Sequence, residues 1–212
     1  MGLKKILLIL LIILIEMAIL LLPDIYAKSS RTYIYIDPGH GGFDSGAMHN
    51  ELLEKDVVLK VALYLETYFK NAGYLVLLTR TKDEALSKTK KEDIYSRVEK
   101  INKTDTLLYL SIHANYFPQE NVSGAQVFYK DTNDNKKLAN IIQEYLKIVD
   151  DNKRCAKEIK GKYLLDHVNK TGCLVEIGFL SSSKDYSNLI KEEYLNLTAK
   201  YIFLGVLEYL QN

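Results

Sequence analysis

Beyond Arg31 the chain alternates short apolar runs with longer stretches of helical periodicity. That alternation confines it to an α/β fold: one domain with a mostly parallel, twisted sheet of about six strands and helices on both faces. Strands are expected at 33–37, 74–79, 106–111, 124–129, 163–168 and 173–177. Helices are expected at 54–71, 93–102, 133–149 and 192–210. The first helix places Val57, Val58, Val61, Leu65, Tyr68 and Phe69 near helical spacing, and Gly73 stands where a glycine terminates a helix. At 212 residues there is room for one ordinary domain and no second one.

The first residues point to export. Lys4 and Lys5 precede an apolar run over 6–22, interrupted by Glu16 and closed by Pro23. Residues 1–27 are a signal peptide or an N-terminal membrane anchor, since the run is almost long enough to span a bilayer and 25–27 is a poor cleavage site. The basic pair puts the rest of the chain on the far side of the membrane. Residues 28–31 form a linker, and 32–212 the folded domain.

With 28 Lys plus Arg against 27 Asp plus Glu, no bulk field recruits nucleic acid, and specificity has to come from a local site. Cys155 and Cys173 fit no CxxC metal spacing. Pairing would need an oxidising compartment, but Cys173 opens an apolar strand, which favours the role of a small buried hydrophobe.

Three polar motifs fall at strand ends, on the sheet edge where parallel sheets bind ligands. Asp37-Pro38-Gly39-His40-Gly41-Gly42 follows the first strand, Ser111-Ile112-His113-Ala114-Asn115 closes the third, and Val175-Glu176-Ile177-Gly178 closes the last. A phosphate-binding loop is the rival reading of the first motif, but no Lys-Ser/Thr follows its glycines. His113 alone reads as a core histidine. Together, His40, His113 and one carboxylate at the start of the first helix match the three protein ligands of a catalytic zinc site. Glu54, Glu51 and His49 all lie near enough to complete it, and spacing does not choose among them. Glu176 lies in an otherwise apolar run, where an unpaired charge costs several kcal/mol. It is either one half of a structural salt bridge or a general base beside a metal.

Taken together, these motifs resemble the zinc-dependent N-acetylmuramoyl-L-alanine amidases of autolysin and sporulation type, over almost everything after Arg31. The resemblance implies that His40 of DPGHGG, Glu54 of Glu54-Lys55-Asp56 and His113 of SIHAN hold one zinc ion, and that Glu176 of VEIGFL is catalytic. It selects Glu54 over its neighbours. It makes 32–212 a catalytic domain that hydrolyses the amide between N-acetylmuramic acid and L-alanine in peptidoglycan, outside the cytoplasm. Substrate-binding roles are expected for Asn115, Arg80 and Gly178, although Arg80 and Arg97 stand at positions that usually hold the architecture, which favours structural ion pairs there. The chain departs from the family at Ser181-Ser182-Ser183, where relatives continue Ser-Asn-Pro, and a serine there can still cap a helix. The bare domain behind one N-terminal signal is similar in layout to sporulation members that prepare muramic lactam in spore cortex for germination. Targeting would then rest on the membrane segment, the groove or a protein partner. A zinc peptidase of wall cross-links and an inactive wall-binding module are the alternative readings.

Overall fold

The computed structural model describes residues 32–150 and 152–212; the signal or anchor at 1–27 and the linker at 28–31 lie outside the described residues. In chain order the elements are β1 (Tyr33–Pro38), a small hairpin of β2 (Met48–His49) and β3 (Leu52–Leu53), α1 (Glu54–Asn71), β4 (Leu75–Leu78), α2 (Lys90–Lys103), β5 (Thr106–Asn115) and β6 (Gln126–Tyr129). There follow α3 (Asn133–Asp150), β7 (Lys157–Glu158), α4 (Tyr163–His167), β8 (Gly172–Phe179), α5 (Ser183–Leu189) and α6 (Glu192–Gln211).

Six strands form one sheet in the order β4-β1-β5-β8-β6-β7. β4, β1, β5 and β8 run parallel, β6 is antiparallel to β8, and β7 runs with β6. The central strands β1, β5 and β8 are buried along almost their whole length, as strands covered on both faces must be. One face carries α1, α3 and α6, whose buried residues Val58, Leu65, Leu138, Ile142, Ile202 and Val206 join Ile34, Leu108 and Val175 in a single core. The other face carries α2 and α4, which bury Val98, Ile101, Leu164 and Leu165 against Tyr35, Tyr109 and Leu174. Each fully buried Val, Leu or Ile in these layers contributes about 2 kcal/mol relative to exposure.

α1 occupies the predicted span and ends as its glycine requires. Gly73 takes φ +86°, while Gly73 N donates to Lys70 O and Tyr74 N to Phe69 O, both at 3.0 Å. These two bonds close the last turn.

The segment 163–168, expected as a strand, is the helix α4. Its backbone bonds run from Asp166 N to Lys162 O and from Val168 N to Leu164 O, both 2.9 Å, and adjacent Leu164 and Leu165 are both buried. A short apolar run carries no period of its own, so the available surface decides its conformation. Here the sheet edge is filled instead by β7, which pairs Lys157 with Phe128 and Glu158 with Tyr129.

Candidate metal centre and active site

The parallel strands end on one edge, and their register aligns the polar motifs. Asp37 is level with Ser111, Pro38 with Ile112, and His113 with Glu176. α1 starts at that edge after the β2–β3 hairpin. Its first helical N–H groups are satisfied by loop carbonyls, Glu54 N by Ala47 O at 2.9 Å and Lys55 N by Ser45 O at 3.1 Å.

His40, Glu54 and His113 converge, each offering one ligand atom, with all three atoms within 4.8 Å of one another. His40 Nε2 lies 3.2 Å from Glu54 Oε2, and His113 Nδ1 lies 2.9 Å from Glu54 Oε1. The imidazoles meet edge to face, their centroids 5.1 Å apart. Two imidazole nitrogens and a carboxylate oxygen are the donor set of a catalytic zinc site. Glu51 and His49, which spacing left in contention, do not belong to this cluster.

The carboxylate between the histidines is built to stay ionised. Burial alone would raise the pKa of Glu54, but hydrogen bonds from His113 and His40 outweigh it and hold the carboxyl well below its ordinary value. Its oxygens also accept Ala47 N at 2.8 Å and Ala114 N at 3.1 Å. His40 is affected in the opposite sense. Burial lowers its pKa, but the bonds and charges of Glu54 and Asp44 prevail and raise it.

Two buried arginines shape the loop that presents His40. Arg80 donates from Nε to Pro38 O at 3.1 Å and from Nη2 to Gly39 O and Lys55 O, both at 2.8 Å. Arg97 reaches Pro38 O at 2.7 Å and His40 O at 2.5 Å, and is itself paired with buried Asp37 at 2.8 Å and with Asp93 at 2.5 Å. Three consecutive carbonyls are thereby tied to fixed guanidinium groups. They hold His40 at φ +60°, a conformation most non-glycine residues avoid. Gly39 is required for a different reason. A Cβ there would meet the His113 ring.

Asp44, which drew no attention in the sequence, accepts the other ring nitrogen of His40, Nδ1, at 2.7 Å. Its second oxygen pairs with Lys90 of α2 at 2.6 Å. This leaves Nε2 facing Glu54, the arrangement by which carboxylates orient metal-binding histidines. A clue lay in the spacing, since Asp44 is four residues past His40 in the same glycine-rich turn.

Glu176 is 8% exposed, and its Oε2 is buried with no hydrogen-bond partner. Burial, opposed by the charge of His113 and reinforced by that of Glu54, raises its pKa to about 7. No salt bridge neutralises it among the described residues, so the structural alternative for this residue finds no support.

The remaining expected positions divide. Asn115 ends β5 and lines a small pocket with Glu176. Gly178 takes φ +150° at the exit of β8, against Asp185, whose Oδ2 accepts Phe179 N and Gly124 N at 2.8 Å each. Arg80 is 2% exposed and its donors go to main-chain carbonyls, which makes it a brace of the His40 loop. Ser182 caps α5, its hydroxyl accepting Asp185 N at 3.4 Å. Cys155 is exposed and Cys173 buried, and both are free thiols. Among the described residues no helix is long and apolar enough to cross a membrane.

Residues 34–208 match the family model described as N-acetylmuramoyl-L-alanine amidase. The germination-specific N-acetylmuramoyl-L-alanine amidase of Bacillus subtilis is 42% identical over 190 residues, covering 85% of this chain and 80% of that protein. The amidase LytC of the same organism is 32% identical over 83% of this chain but only 35% of its own length. Among solved structures, the CwlD amidase from Clostridioides difficile, determined in complex with the GerS lipoprotein, superposes with a TM-score of 0.82 at 37% identity, covering 85% of this chain and 99% of that one. The amidase AmiC2 of Nostoc punctiforme gives a TM-score of 0.79 at 31% identity, with coverage of 87% and 99%.

Proposed function

The chain belongs to the N-acetylmuramoyl-L-alanine amidase family, a group of amide hydrolases, and from that premise we propose that it is a zinc-dependent enzyme cutting the bond between N-acetylmuramic acid and L-alanine in peptidoglycan. His40, Glu54 and His113 are its metal ligands and Glu176 its general base. The observation that carries this reading is the orphan carboxylate oxygen of Glu176 beside three convergent ligand atoms. A zinc ion held there supplies a Lewis acid that polarises the scissile carbonyl and makes water a competent nucleophile near neutral pH.

The protein's own groups supply the rest. Asp44 and the Arg80–Arg97 braces hold His40 in orientation, and Gly39 gives the His113 ring its space. A carboxyl titrating near 7 accepts the proton of the attacking water and returns it to the departing alanine nitrogen. Burial favours the first transfer, because it makes the charged form of Glu176 costly and so strengthens it as a base.

We assign the enzyme to the extracytoplasmic side, in line with the basic-apolar N-terminal segment. A role in spore cortex, forming muramic lactam, is supported by similarity to a relative named germination-specific. The Clostridioides difficile relative was solved with a lipoprotein, and a protein partner is proposed here on that ground. Product analysis of digested peptidoglycan tests the reaction: an amidase frees stem peptides with an N-terminal alanine, whereas a cross-link peptidase leaves the sugar–peptide junction intact. Glu176→Gln is expected to retain zinc while losing turnover by about a thousandfold or more. Persistent hydrolysis in that variant removes Glu176 from the mechanism.

A further inference from the structure

Glu176 opens into a pocket of about 70 Å³, whose other walls are Asn115, Phe128, Ile159, Lys162 and Leu174. A single water needs only about 10–15 Å³ of such space, so there is room for an alanine side chain. Three of its walls are apolar. Its polar members are the carboxamide of Asn115, the unpartnered and more than nine-tenths buried Glu176, and one cation.

Lys162 is exposed, directly before α4 and after Gly161. Lys160 is engaged with Glu158 at 3.3 Å, whereas Lys162 has no ion pair among the described residues. Its charge is nonetheless felt at Glu176, where it opposes the effect of burial. The surrounding segment 152–162 is basic, with Lys153, Arg154, Lys157, Lys160 and Lys162 against the single acid Glu158. A free ammonium beside a pocket, on a basic rim, is suited to an anion arriving with the substrate.

The reaction fixes which part of the substrate lies here. Glu176 must reach the leaving nitrogen, and that nitrogen bears the alanine Cα and its methyl. The next residue of the stem peptide begins about 3.8 Å further along, from Cα to Cα. It is a glutamate joined through its side chain, so its α-carboxylate is free unless amidated.

We propose that this pocket is the subsite for the start of the stem peptide, with the alanine methyl against Phe128, Ile159 and Leu174, and Lys162 binding the free α-carboxylate of the acidic second residue. The assignment rests on the amidase reading above and adds a specificity to it. The enzyme distinguishes stem peptides with a free second-residue carboxylate from those in which it is amidated.

The test uses the zinc-loaded full chain and two tetrasaccharide muropeptides that differ only in carrying D-glutamate or D-isoglutamine at the second position. The readout is the ratio of kcat/KM for the two. Any effect of Lys162 on Glu176 itself is common to both substrates and cancels in that ratio. Wild type is expected to favour the acid by about tenfold, the scale of one charge-assisted hydrogen bond at a partly solvated site. Lys162→Met brings the ratio to within about twofold of unity, and Lys162→Glu inverts it. A wild-type ratio near one, a Lys162→Met ratio unchanged from wild type, or a Lys162→Glu ratio that still favours the acid overturns the subsite while leaving the amidase reading intact. Failure of wild type to cut either muropeptide overturns the amidase reading, and the subsite with it.

Discussion

Removing the Asp44 carboxylate isolates the orientation of His40 from its proposed role as a ligand. In the structure Asp44 Oδ2 accepts a hydrogen bond from His40 Nδ1 at 2.7 Å, and Oδ1 accepts Gly46 N at 3.2 Å and pairs with Lys90 at 2.6 Å. With one oxygen on the ring and the other on a cation, the carboxyl is held low, with a pKa near 2 despite partial burial, which alone would raise it. A hydrogen bond to a charged group contributes about 1.5–3 kcal/mol. Lys90 draws away part of the negative charge and the site is partly wet, so the lower end applies here. Asp44→Ala is therefore expected to weaken zinc binding about tenfold, at the lower edge of the range for lost outer contacts to ligating histidines. Asp44→Asn keeps an acceptor in place, so its loss is expected to be only about threefold. Lys90→Ala, which removes an exposed pair, is expected to change affinity by less than about twofold. The assay is competition against a chromophoric zinc chelator at fixed neutral pH, with thermal unfolding of the metal-free proteins to exclude general loss of structure. Wild-type affinity in Asp44→Ala, with the fold intact, would refute the orienting role and leave the arginine-held backbone as the sole support of His40.

Other perturbations probe the frame around the site. Asp37→Ala strands the buried guanidinium of Arg97 and is expected to cost about 3 kcal/mol in urea unfolding, the scale for breaking a buried ion pair. The same carboxyl gives a pH signature: burial pushes it up, but Arg97 and Thr79 prevail and leave it below its ordinary value. Its contribution is thus complete above pH about 4 and fades as the pH falls further, and Asp37→Asn should show a shallower acid limb in that window. Gly39→Ala places a methyl on the His113 ring, and isothermal titration should show weaker zinc binding than wild type; unchanged affinity would mean the ring has room to yield. Cys155 is exposed while Cys173 is buried with its thiol pKa raised by that burial, so a thiol reagent should label one cysteine in the native protein and a second only in denaturant.

The site was legible where chemistry leaves a mark on a local string, and illegible where it depends on distant backbone. His40 follows an apolar run, His113 closes one and Glu176 interrupts one near its end, and the parallel sheet brings such strand ends together without further information. α1 was equally plain, because an 18-residue amphipathic stripe with a terminal glycine admits one reading. Glu54 stood apart: its place follows from the β2–β3 hairpin, a turn with Asn50 at φ +50° whose short strands show no pattern. The family resemblance identified it where spacing did not. Arg80 and Arg97 were legible as structural residues, but their targets were hidden for a related reason. Arg80 and Arg97 act on carbonyls of residues about 40 and 60 positions away, and a carbonyl has no residue type to recognise. Lys162 belongs to the same class, since its meaning depends on 163–168 folding as a helix. A strand through 163–168 would have turned that loop elsewhere, so the misread element and the overlooked lysine share one cause.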